Sequence, residues 1–313
     1  MSTPVLQAEP GGASSGTRLW LKSSRPAAET DLSNLKTNRI EPEVLATEDE
    51  VGRAQLEEIK AAVAAKSGDL VLVLLGGRGA QALYRLVGEL AQTSALDDML
   101  GRLHVFTQDA LAPLRMDNPL NFVSDFRRLL GDAFFRKIKS FTPMRTDVAD
   151  LQGELTSYTE KLESLGGIDL FFLGLGPEPE AASHLCYIKP GSGATSADFA
   201  GMIPIYSSVL DHHITKFKVG GATVTEADEA ECRAATYIMT LGPASILGAR
   251  RIVQSIVDAS TAPAKRASYR SVLETQLSDE PNERARQLDQ NPGLWLRLHP
   301  NVRSLVLPDV LTA

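Results

Sequence analysis

Two apolar runs of strand length constrain this chain most: Leu70-Val71-Leu72-Val73-Leu74-Leu75, and Leu170-Phe171-Phe172-Leu173 following Ile168-Asp169. Neither alternates polar with apolar residues, so both faces are expected to be buried, as in a parallel strand with helices above and below. Each run stops at glycines, Gly76-Gly77-Arg78-Gly79 after the first and Gly174-Leu175-Gly176-Pro177 after the second. Ligands in open α/β sheets gather just past the carboxyl ends of the strands, which makes these turns the place to look for a site. The second turn leads into Glu178, Glu180, His184 and Lys189, a loop of two carboxylates, a histidine and a lysine.

The remaining elements alternate in the same way. Glu43-Val44-Leu45, Leu103 to Phe106, Ala235 to Leu241, Ile252 to Val257 and Val302 to Leu307 read as strands. Between them, Val51, Leu56, Ile59 and Val63 recur at helical spacing behind the capping-box sequence Thr47-Glu48-Asp49-Glu50. Ala80 to Leu90, Phe122 to Phe134, Val148 to Leu165 and Lys265 to Leu273 also read as helices. Arg136-Lys137-Ile138-Lys139 is expected to be a solvated helix end, and 278–291 a loop or edge. Residues 191–231 carry no clear periodicity. These features predict an α/β fold: one doubly wound, mainly parallel, Rossmann-like sheet with helices on both faces over 38–313. Residues 1–37, rich in Gly, Ser, Pro, Thr and Ala, are expected to form a flexible N-terminal arm, with Trp20 in its one apolar cluster.

The net charge of -7 argues against a general nucleic-acid binder, because phosphate affinity rests on surplus Lys and Arg. Two cysteines, Cys186 and Cys232, are too few for a disulfide framework and suit a reducing compartment. No run approaches a membrane span and the N-terminus lacks a signal-peptide layout, so a cytoplasmic location without membrane contact is expected. Asp211-His212-His213 lacks further ligands at metal spacing, and its histidines are expected at the surface or in capping roles. No feature demands a metal or an organic cofactor, and the oligomeric state stays open, with a homo-oligomer allowed.

Two βα turns carry chemistry. The loop Gly76, Gly77, Arg78, Gly79 can present backbone N–H groups to an anion, or simply bring strand and helix close. Its spacing is neither G-x-G-x-x-G nor a Walker loop. Asp109 stands just past the third strand, where a carboxylate serves either chemistry or a turn.

Four segments in order resemble the glucosamine-6-phosphate deaminase and 6-phosphogluconolactonase family. They are Leu75 to Gly79 with Leu83-Tyr84; Phe106 to Asp109 with Asp117-Asn118-Pro119 and Asn121-Phe122; Ile168 to Pro177 with His184 to Pro190; and Ala235 to Gly242 with Lys265-Arg266-Ala267 and Trp295 to Val302. The resemblance spans about 40 to 310 and implies a small-molecule sugar phosphate as substrate. In the deaminase branch it implies Asp109 as the base moving a proton between C1 and C2, and His184 as the ring-opening group. It also implies Lys265 as a phosphate lysine beside the glycine loop. Glu178 or Glu180 would replace an aspartate that the family carries next to its histidine, since Glu178 to Ser183 lengthens that loop. Lys189 stands where the family has a glutamate and joins the substrate-binding candidates. It reverses the charge beside His184 and removes an orienting carboxylate. The glycine loop lacks the family's hydroxyls, Ala110 replaces its second acid, and its phosphate-contacting arginine is not visible after Pro190. Two further readings follow from the resemblance: lactone hydrolysis, and a sugar-phosphate sensor without catalysis.

Overall fold

The structure, a computed structural model, describes residues 18–23 and 32–312. Its strands in chain order are β1 (Leu19–Lys22), β2 (Pro42–Val44), β3 (Leu70–Leu74), β4 (Leu103–Thr107), β5 (Asp109–Ala112), β6 (Ser140–Thr142) and β7 (Leu170–Leu173). β8 (Gly176–Pro177), β9 (Ser183–His184), β10 (Asp198–Pro204), β11 (Tyr237–Leu241), β12 (Arg251–Ile256) and β13 (Val302–Val306) follow. The helices are α1 (Glu48–Ala65), α2 (Gln81–Leu90), α3 (Asp97–Leu100), α4 (Phe122–Lys137), α5 (Leu151–Ser164), α6 (Ser207–Val219), α7 (Glu226–Arg233), α8 (Pro243–Gly248), α9 (Ala264–Glu274) and α10 (Pro281–Gln290).

Seven strands form a parallel sheet in the order β2-β13-β12-β7-β3-β4-β6. The apolar runs sit at its centre for the reason their sequence gives. In β3, Leu70, Leu72 and Leu74 face one core with α1, α2 and α4, while Val71 and Val73 face the other with α5 and α9. β7 divides the same way, Leu170 and Phe172 against Phe171 and Leu173. Each fully buried large side chain of this kind contributes about 1.5–3 kcal/mol. α1 begins at Thr47, whose side chain accepts the Glu50 N–H at 3.2 Å, while Glu50 reaches back to the Ala46 N–H at 2.7 Å. The chain runs from β3 through α2 to β4 on one side, and β7 later enters on the other. The boundary between β3 and β7 is therefore the topological switch point at which open sheets hold ligands.

Three expectations change. A second sheet, antiparallel in the order β1-β10-β11-β5, lies beside the first, so the strand expected at 235–241 joins it and not the parallel sheet. Leu19–Lys22, placed in the arm, is a strand of that sheet, with Trp20 paired to Gly201; the arm's residues 1–17 and 24–31 lie outside the described residues. Residues 281–290, expected as loop or edge, are helix α10. The basic segment does end α4, but Ser140–Thr142 after it pairs with β4 as an edge strand.

Candidate active site

At the carboxyl ends of β3, β4, β7 and β12 a narrow cleft of about 50 Å³ is lined by Gly76, Arg78, Gly79, Asp109, His184 and Lys265. Six residues singled out from separate stretches of sequence thus meet at one place. With them stand residues that sequence reasoning missed: Gln108, Cys186, Tyr187, His212, Lys216 and Ser255. The cleft opens, past His184, Tyr187 and His212, into a basin of about 1060 Å³.

Asp109 is only 2% exposed. A single residue, Gln108, separates β4 in the parallel sheet from β5 in the antiparallel one, and Asp109 opposes Thr240 across the second ladder. The backbone of Asp109 is therefore fixed at the point where the chain passes from one sheet to the other. Its Oδ1 has no hydrogen-bond partner among the described residues. Burial pushes its pKa up to about 7, against the opposing pull of Lys216 and Gln108. A buried, unsatisfied carboxyl that titrates near neutrality is suited to taking up and returning a proton.

His184 ends the short hairpin of β8 and β9, and its Nε2 lies over Gly176, where a Cβ would come within 1.9 Å. Its Nδ1 meets Glu178 Oε1 at 2.6 Å, so with Glu178 accepting, Nε2 keeps its lone pair for the cleft. The ring stacks on Tyr187 at 5.3 Å and 17°. Tyr187 in turn donates to His213 Nδ1 at 3.2 Å, and His213 Nε2 donates to the Leu120 carbonyl at 2.7 Å. Burial lowers the His184 pKa, with Lys189 and Lys216 acting the same way and Glu178 opposing them. The imidazole is thus kept neutral.

The two acidic candidates separate. Glu178 supplies the orienting carboxylate, so Lys189 has not removed it as expected. Glu180 is exposed, takes a left-handed φ of 57°, and lines only the outer basin. Lys189 also faces the basin, with its Nζ 3.6 Å from Glu178 and 4.9 Å from the centre of the Tyr206 ring. Burial raises the Glu178 pKa, but His184 and Lys189 outweigh it and hold the carboxyl below the usual range. Exchanging Glu178 for Gln is expected to move the His184 imidazole titration to lower pH, and Lys189→Gln to move it to higher pH. Both shifts can be read from ring proton resonances in NMR.

The glycine loop has mixed duties. Gly76 packs under the Phe122 ring, where a Cβ would fall 2.3 Å away, and Gly79 sits against Ser255 of β12. Gly77 has φ 107° and ψ -168°, a conformation open to glycine almost alone, and faces Lys216. Arg78 pairs with Glu48 at 2.5 Å, and Lys265 with Asp258 at 2.6 Å. Asp258 is buried, which raises its pKa, yet Lys265, Lys216 and Arg78 together hold it below the usual carboxylate range. The wall is therefore rich in cations, and Asp258 is the carboxylate on which Lys265, Lys216 and Arg78 all act.

His212 and His213 behave differently from each other, and only His213 departs from the surface or capping role expected of the pair. His213 is fully buried between Phe122 and Phe217, and burial drives its pKa down to about 3. His212 is exposed on the cleft side; crowding of its inner edge, then Lys216 and Lys265, bring it to about 4. Among the described residues no group of His, Cys, Asp and Glu is arranged to hold a metal ion, and no helix is long and apolar enough to cross a membrane.

No protein-family model matches the chain. Glucosamine-6-phosphate deaminase of Bacteroides fragilis is 33% identical over 96 residues, 29% of this chain and 32% of that protein. The deaminase of Porphyromonas gingivalis is 26% identical over 141 residues, 45% and 51% of the two chains. The matched segments thus span about a third to a half of these relatives' own length. In fold, the chain is similar to a monomeric glucosamine-6-phosphate deaminase, with a TM-score of 0.65 and 20% identity, over 87% of this chain and 98% of the other. It is likewise similar to 6-phosphogluconolactonase from Trypanosoma cruzi, with a TM-score of 0.63 and 16% identity, over 90% and 100%. Together these likenesses fit a divergent member of the glucosamine-6-phosphate deaminase and 6-phosphogluconolactonase family.

Proposed function

We propose that the chain is an enzyme of carbohydrate metabolism that converts an amino-aldose phosphate to a ketose phosphate with release of ammonia. The observation that carries this reading is the buried Asp109 carboxyl, unpartnered at Oδ1, sharing a cleft with the neutral His184 imidazole. In this reading His184 Nε2 takes the proton of the anomeric hydroxyl and returns it to the ring oxygen, which opens the ring. The Asp109 carboxylate takes the C2 proton of the open sugar and delivers it to C1, while the C1 oxygen takes up a proton from the C2 ammonium. The resulting C2 iminium adds water and loses ammonia, leaving the ketone. The phosphate lies against the backbone of the glycine loop, with Lys265 and Lys216 supplying charge.

Lactone hydrolysis is the second reading, favoured by the same His184–Glu178 pair, which can activate a water at Nε2. The purified full chain given glucosamine-6-phosphate or 6-phosphogluconolactone separates the two, with ammonia and acid release followed. Ammonia release is expected. Acid release alone establishes the lactonase reading, and silence in both assays rejects both. Because only the ionised Asp109 accepts a proton, kcat/KM for ammonia release is expected to rise with pH along a limb centred near 7, the value to which burial raises this group.

A further inference from the structure

Lys189 is a cation to which the reading above gives no task. Its Nζ stands 3.6 Å from Glu178 Oε1, the same oxygen that His184 Nδ1 meets at 2.6 Å, so the ammonium lies close by the imidazole on its Glu178 side. A separation of 3.6 Å is beyond hydrogen-bond reach, so the amine's N–H donors keep room for an acceptor. The amine also stands over the Tyr206 ring, 4.9 Å from its centre. His184, Tyr187 and His212 line both the cleft and the basin of about 1060 Å³, whereas Lys189 and Tyr206 line the basin alone. The basin has the size that takes a whole small-molecule ligand. A hexose phosphate with its phosphate at the glycine loop and its anomeric carbon at His184 ends where that basin begins.

On the sugar-phosphate reading of the cleft, on which this rests, we propose that the site also takes a ketose phosphate carrying an amino acid on C1, bound through nitrogen, and that Lys189 receives its carboxylate. Ring opening at His184 needs a free anomeric hydroxyl. In an aldose that hydroxyl is on C1, and no arm can extend past it. In a ketose the anomeric carbon is C2, and C1 hangs outside the ring, where the basin lies past His184. A nitrogen on C1 sets the C–N bond beside the two carbons between which Asp109 moves its proton. The carboxylate carbon then follows C1 by three bonds, past the imidazole and toward the Lys189 ammonium, which answers it as a point charge.

The chemistry uses the same groups. His184 moves the C2 hydroxyl proton to the ring oxygen, which opens the ring. Asp109 removes a proton from C1, and the electron pair of that bond moves toward C2, whose carbonyl oxygen takes up a proton from the ammonium on C1. The protonated Asp109 returns its proton to C2, leaving an iminium between C1 and nitrogen. Water adds to C1, its two protons pass to nitrogen, and the C–N bond breaks as the C1 aldehyde forms. The products are an aldose phosphate and the free amino acid, with Asp109 again a carboxylate. The proton path is that of the ammonia-releasing reaction in the opposite direction, with nitrogen on C1 in place of C2.

The test compares three substrates on the full chain. They are N-(1-deoxyfructos-1-yl)glycine 6-phosphate, its ethylamine counterpart without the carboxylate, and glucosamine-6-phosphate, with release of glycine, ethylamine and ammonia followed. The expected result is release of glycine together with an aldose 6-phosphate. Its kcat/KM should exceed that of the ethylamine conjugate by at least about tenfold, mostly through KM, as for loss of a charged contact. That preference should shrink in Lys189→Gln, whose melting curve confirms that it folds; the comparison of the two conjugates in the parent needs no variant. Ammonia from glucosamine-6-phosphate with neither conjugate cleaved overturns the proposal and leaves the reading of the cleft standing. Equal turnover of the two conjugates, or a preference unchanged in Lys189→Gln, also overturns it. Silence toward all three overturns the proposal together with the reading it rests on.

Discussion

Replacing Asp109 with Asn is expected to lower turnover by about 10²–10⁴-fold, the range for removing a positioned proton-transfer group. The same change is expected to make the protein more stable above pH 7. The two effects share one cause. Folding moves this carboxyl from water, where it titrates near 3.8, into a site where burial raises it to about 7. Between these values the folded chain holds a proton that the unfolded chain has released, so stability falls as pH rises through that window. Above the folded value the ionised carboxylate costs the native state on the order of 4 kcal/mol. Asn is nearly isosteric and never ionises, so it removes both the base and the penalty. Urea denaturation of the parent and of Asp109→Asn at intervals from pH 4 to 8 gives the slope directly. A variant that kept its turnover, or kept the parent's decline, would contradict the assignment.

The second large effect is expected at Asp258. Replacing it with Asn leaves Lys265 buried without its carboxylate, and breaking a buried pair on one side costs about 3–5 kcal/mol. The loss applies at neutral pH. Since folding lowers the Asp258 pKa, the stability it lends is present above the ordinary carboxylate range and disappears as pH falls through the folded value. The variant should also respond more strongly to inorganic phosphate, because Lys265 and Lys216 would then face the cleft without the Asp258 charge, while Arg78 keeps its partner Glu48. A larger rise in melting temperature for Asp258→Asn than for the parent, at equal phosphate, is the outcome expected. Equal rises would mean that the cleft does not collect anions.

What the sequence revealed and what it hid have physical reasons. The central strands were legible because β3 and β7 are buried on both faces, which leaves no room for polar residues. Asp109, His184 and Lys265 were reachable because short motifs mark them. Asp258 escaped although it stands just past β12, as Asp109 stands past β4; no accompanying motif drew attention to it. α6 was hidden by its histidines. Val209, Leu210, Ile214 and Phe217 form its buried face, and His213 fills an apolar slot in that series by bonding to Tyr187 and Leu120. With that slot recognised, His212 and Lys216 fall four residues apart on one helix face, turned toward the cleft. α10 was hidden in a related way. It buries Arg284, whose guanidinium bonds to the carbonyls of Leu32 and Leu35, so its inward face does not read as hydrophobic. Between Glu178 and Glu180 the sequence offered no choice. The turn decided it, by aiming Glu178 at His184 and leaving Glu180 on the outer rim.

The strand Leu19–Lys22 carries a consequence of a different kind. It covers the outer side of β10, laying the Trp20 ring over Gly201 and pairing Lys22 with Asp198 at 2.5 Å. A chain shortened to begin after Lys22 would keep every residue of the cleft but bare a seven-residue strand, Asp198–Pro204, along its hydrogen-bonding side. Unpaired N–H and C=O groups in such a row are a template for another strand. Leu19–Lys22 is therefore a guard that keeps neighbouring molecules from zipping together, and its loss would show first as self-association rather than as lost chemistry.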